Sequence, residues 1–110
     1  MREEMKAAYS LIREYKDGDI QPGSAMTDEH QRLVRLLATD LDVHVDGLDI
    51  SAIVTLVASA DTHWNRQTMD AVSKFYALNE GGSADAAAAL RNDFLGRCPS
   101  VWYCGVLAGL

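Results

Sequence analysis

The chain has 110 residues and a formal net charge of −6, with 48% hydrophobic and 24% charged residues. That length suits a single domain whose core needs no disulfide support, and the composition excludes wholesale disorder, collagen-like repeats and a cysteine-stapled scaffold. The acidic balance repels phosphate backbones and disfavours direct nucleic-acid binding.

Residues 2–16 predict a helix. Met5, Ala8, Tyr9, Ile12 and Tyr15 recur at helical spacing, with Arg2, Glu3, Lys6, Arg13 and Glu14 on the other side. Asp17-Gly18-Asp19 stops it, and Gly18 suits a left-handed C-terminal cap. Ile20 to Met26 holds a Pro-Gly pair and reads as a turn or linker. Gly23-Ser24-Ala25-Met26 also resembles a vector-derived junction in front of a natural start. The domain reading is therefore residues 1–25 as an N-terminal helix with its linker, open to being a fused segment, and residues 26–110 as a helical interaction domain.

Thr27 is a good N-cap, and Asp28 and Glu29 place carboxylates in a first helical turn, where the helix dipole favours them. Leu33, Val34, Leu36, Leu37 and Leu41 form that helix's apolar stripe, and Asp28 with Arg32 forms an expected i,i+4 pair. From residue 41 the period changes. Leu41, Val43 and Val45 alternate with Asp42, His44 and Asp46, and Asp46-Gly47 is a hairpin-turn signal, so a minor β-hairpin at 41–50 is an expectation.

A very apolar helix is expected from Asp49 or Ser51, through Ile53, Val54, Leu56 and Val57. Thr62 then reads as the cap of a separate helix carrying Trp64, Ala71, Phe75 and Leu78, with an Asp70–Lys74 pair. Asn79-Glu80-Gly81-Gly82 ends it. Ser83 or Asp85 starts the next helix, which runs through the Ala86–Ala89 stretch, Leu90, Phe94 and Leu95. Gly96 to Pro99 stops that one, and Ser100 caps a last helix with Trp102, Tyr103, Val106, Leu107 and Leu110. The fold class is all-α, a compact bundle of five or six short helices.

Chemistry-bearing motifs are sparse. Asp42 to Gly47 begins like a calcium loop, but the twelfth place is Ile53 and the third is His44, which suits a hard cation poorly. His30, His44, His63, Cys98 and Cys104 lack the close spacing of a zinc site. Cys98 and Cys104 are six apart and read as thiols of a reducing compartment, although Pro99 leaves a bridge between them open. Asp61 and His63 form a weak general-base candidate, with helix capping the simpler role for Asp61. Gly81-Gly82-Ser83 can cradle an anion but more simply makes a turn. No nucleophile elbow, phosphate loop or cofactor motif is present.

Two features point outward. Residues 26–50 carry a net −4, and Asp40, Asp42, Asp46 and Asp49 read either as a solvated face that aids solubility or as a docking patch for a basic partner. Trp102 and Tyr103 are adjacent, cannot share one helix face, and so expose one aromatic to solvent or a partner. The leading expectation is a non-enzymatic, cytoplasmic, acidic helical adaptor that recruits another protein or a second copy of itself. The alternatives are an acidic inhibitor or immunity-type protein against a basic target, and a small metal-binding or enzymatic domain. No signal peptide and no membrane span are expected, because the longest apolar stretch, Val101 to Leu110, is too short to cross a bilayer.

Overall fold

Strong helix formers, well-placed caps and a recurring apolar stripe give five helices: α1 (Arg2–Lys16), α2 (Asp28–Asp40), α3 (Ile50–Glu80), α4 (Ala84–Arg97) and α5 (Val101–Ala108). They are seen in a computed structural model that describes residues 2–18 and 26–110. No strand occurs among the described residues, and the class is all-α as expected. The linker and junction readings fall on residues 19–25, outside the described residues. Contacts divide the chain into two units, Met1–Asp61 and Thr62–Leu110.

In the first unit α1 packs on α2. Ala8, Tyr9 and Ile12 lie one turn apart and are fully or almost fully buried, as are Val34 and Leu37 of α2 and Ile53 and Val57 of α3. Each such aliphatic side chain contributes about 1.5–3 kcal/mol by leaving water. Polar ties fix the arrangement. The Tyr9 hydroxyl donates to Asp40 Oδ2 at 2.7 Å, and Lys16 Nζ donates to Asp61 Oδ2 at 2.5 Å. Gly18 closes α1 at φ +83°, a conformation that costs glycine little.

Thr27 caps α2 as expected, its side chain accepting from the His30 N–H. The expected Asp28–Arg32 pair does not form. Arg32 instead makes a two-bond fork with Glu29, at 2.6 and 3.0 Å, and reaches Glu4 on α1 at 3.3 Å. The longer glutamate side chain presents both oxygens to the guanidinium, which a neighbour at i−3 permits.

The hairpin expected at 41–50 is absent, and the reason is local. The Val43 N–H bonds back to the Ala38 carbonyl at 2.8 Å, and the Asp42 N–H to Thr39 at 3.3 Å. The start of the would-be strand is thus the C-terminal cap of α2, with Asp42 left-handed at φ +56° where glycine is usual. Gly47 has a positive φ but Asp46 does not, so the pair cannot make the type I′ turn of a hairpin.

The expected break before Thr62 is also absent. α3 is one helix of 31 residues. Ser59-Ala60-Asp61-Thr62 contains no Gly or Pro, and a polar residue at a cap-like position does not by itself stop a helix. Asp61 is buried inside the helix and bonded to Lys16, so it is not a cap.

In the second unit α4 packs on α5. Trp64 of α3 meets Phe94 of α4 edge to face, 6.2 Å between centroids and 87° between planes. Gly81-Gly82-Ser83 is a helix-ending turn. Gly82 has φ +81°, and the Ser83 N–H bonds to the Leu78 carbonyl at 2.8 Å, closing α3 in the Schellman manner. Phe94, Tyr103 and Leu107 are its most buried large side chains.

Candidate interaction surface

α5 begins where Pro99 ends helical geometry and Ser100 takes over as N-cap. The Ser100 hydroxyl is fully buried with its residue and accepts from the Tyr103 N–H at 3.1 Å. That cap fixes the rotation of a short helix with only one side committed to the core. Tyr103 and Leu107, four apart, are 3% and 0% exposed. Trp102 is half-buried on the flank. Away from the core stand Val101, 77% exposed, and Val106, 41% exposed, with Gly105 and Ala108 also exposed between and beside them. No charged side chain occurs from Val101 to Leu110.

The outward side of α5 is therefore as apolar as its inward side. A helix that is hydrophobic all round belongs in an interior. Val101 and Val106, five apart, point about 140° from each other around the helix and flank the exposed Gly105 and Ala108. Sequence reasoning settled on the aromatic pair, and the structure divides it: Tyr103 faces the core and Trp102 borders the surface. Val101 and Val106 were missed. The signal was present as the uninterrupted apolar run, which length alone had recommended only as a test for a membrane span. No helix among the described residues is long and apolar enough to cross a membrane.

The four aspartates lie in the other unit, around the α2–α3 connection, and do not act alike. Asp40 is half-buried and takes the Tyr9 hydroxyl. Asp49 Oδ1 accepts from the Ala52 N–H at 2.9 Å and so caps the start of α3. Asp42 and Asp46 are exposed, with no ion pair to either among the described residues. Glu29, counted in the same acidic quarter, is held below the usual carboxylate range by its hydrogen bond from Arg32 and by that residue's charge. Arg32 is held above its ordinary value by the same partner.

The other candidates do not assemble. Asp61 is bonded to Lys16, while His63 is exposed and stacks edge-on against Trp64 at 5.0 Å. Among the described residues no three of His, Cys, Asp and Glu are grouped so as to hold a metal ion. Comparison with protein-family models, curated proteins and solved structures finds no match.

Proposed function

We propose that this chain is a non-enzymatic, cytoplasmic helical interaction domain that recruits another protein through the outward side of α5. The observation that supports this is the exposure of Val101 and Val106 on a helix without one charged residue. Trp102 at the edge of the surface supplies the amphipathic anchor typical of such contacts. A contact of this kind draws on buried apolar area and is therefore tolerant of salt.

The test compares the full chain with the double variant Val101→Asp and Val106→Asp. Both positions are exposed, so the variant keeps the parent's far-ultraviolet circular dichroism. The parent's bound partner survives a high-salt wash, and the variant captures none. Light scattering over a concentration series shows whether the partner is a second copy. Equal capture by both proteins, or a partner stripped by salt, would sink the reading. A salt-stripped partner would instead favour an acidic inhibitor of a basic target, a reading that draws on the exposed carboxylates of Asp42 and Asp46.

A further inference from the structure

We propose that Cys98 and Cys104 are a peroxide-responsive pair that closes into an intrachain disulfide across the α4–α5 junction. The argument starts from helix geometry. Ser100 is the N-cap of α5, which makes Cys104 the fourth residue of the helix and puts Cys98 two residues ahead of the cap. Side chains on a helix lean towards its N-terminus, and a residue at the fourth position meets the chain that enters the helix.

The structure has this arrangement. Cys104 Sγ donates to the carbonyl oxygen of Cys98 at 3.4 Å. In return, Cys98 Sγ lies 3.9 Å from the Ser100 carbonyl, the same oxygen that accepts the Cys104 N–H at 2.9 Å. Cys104 Sγ thus reaches the backbone of Cys98, and Cys98 Sγ lies against the carbonyl that holds the first turn of α5. Cys98 is the C-cap of α4 and has extended backbone at φ −76° and ψ 124°, so the 120° separation that two cysteines six apart would have on one continuous helix does not apply.

The two thiols are unequal in access. Cys98 is buried and Cys104 is half-buried. Hydrogen peroxide meets Cys104 first. The Cys104 thiol gives up its proton, the thiolate attacks one peroxide oxygen, the O–O bond breaks, and the departing hydroxide takes up that proton, so that the products are a sulfenic acid and water. The Cys98 thiolate then attacks the Cys104 sulfur, the S–O bond breaks, and the departing hydroxide takes a proton to leave as a second water. Two thiols are oxidised to one disulfide and one peroxide is reduced to two waters. A dithiol reductant reverses the process.

The experiment treats the reduced full chain with hydrogen peroxide, then blocks residual thiols and measures intact mass under non-reducing conditions. The expected result is a monomer lighter by two hydrogens, with both thiols gone, a cross-link mapped between residues 98 and 104, and recovery on adding dithiothreitol. In Cys98→Ser, dimedone traps a sulfenic acid on Cys104; in Cys104→Ser at the same dose, Cys98 gives no adduct. The proposal is overturned by a disulfide-linked dimer, by oxygen retained on Cys104 of the parent, or by two thiols that persist. The parent alone decides the matter should either serine variant fail to fold.

Discussion

Tyr15 is the last large side chain that α1 sends into the first unit, and its phenol oxygen is buried with no hydrogen-bond partner among the described residues. Such an orphan costs about 1–3 kcal/mol. Tyr15→Phe is therefore expected to raise stability by about 1 kcal/mol, read as a higher denaturant midpoint at unchanged slope. Burial also raises the Tyr15 pKa above its ordinary 10.0. A raised pKa in the folded state means that this group's contribution is complete below pH 10 and is lost as pH climbs through the folded value. An absorbance titration of the parent should show a late-ionising tyrosine that the phenylalanine variant lacks, and that variant should lose part of the parent's alkaline destabilisation. One residue on, Lys16 meets Asp61, whose side chain is 3% exposed against 26% for the lysine. Removing the cation alone takes one charged partner from a buried carboxylate. Lys16→Met should cost about 3 kcal/mol, and adding Asp61→Leu should recover much of that loss where Lys16 is the main compensation of that charge. A double variant no more stable than the single one would show that Asp61 has its main compensation elsewhere.

At the scale of elements, α3 and the α2–α3 connection show how far local patterns reach. Helical periodicity identified the buried side of α1 and α2, since the period of 3.6 is written in neighbouring residues, but it also counted Leu56 of α3 and Val106 of α5, which are exposed. It did not show that 50–61 and 62–80 belong to one helix. Asp61-Thr62 has the look of a helix start, and only the ion pair to Lys16 reveals why a carboxylate sits there inside a helix. Ser59 is exposed at mid-helix, so Ser59→Pro tests continuity without disturbing a core. It should cost about 3 kcal/mol or more, from a lost backbone hydrogen bond and a ring clash. A cost near zero would mean that the helix already yields at that point. The alternation after Leu41 misled for a similar reason. Alternating polarity suits a strand, but the Val43 and Asp42 amides had already been taken by the carbonyls that α2 leaves open.

On the scale of the whole molecule, both tryptophans, Trp64 and Trp102, lie in the second unit. Tryptophan emission therefore reports that unit, whereas circular dichroism reports all five helices. Ile12 is completely buried in the first unit. Ile12→Ala should cost about 2–5 kcal/mol through lost burial and a residual cavity, shifting the dichroism transition and leaving the emission transition where it was. Shifts of equal size in both would show that the two units unfold as one. The acidic quarter also looks different at this scale. Its net charge is a property of composition, but Asp40, Asp49 and Glu29 are each engaged within the chain, which leaves Asp42 and Asp46 as exposed carboxylates of the connection with no ion pair among the described residues.

The amino-acid order by itself determined that the chain is helical, where most helices begin and end, and that α5 carries no charge, because propensity, capping and periodicity act between residues within one or two turns of each other. Tertiary structure alone decided which aromatic of the Trp102-Tyr103 pair is covered, which aspartates are engaged, and that Cys104 sits against Cys98. Those outcomes depend on burial and hydrogen bonds made through space, after the helices have packed, and no local pattern records them.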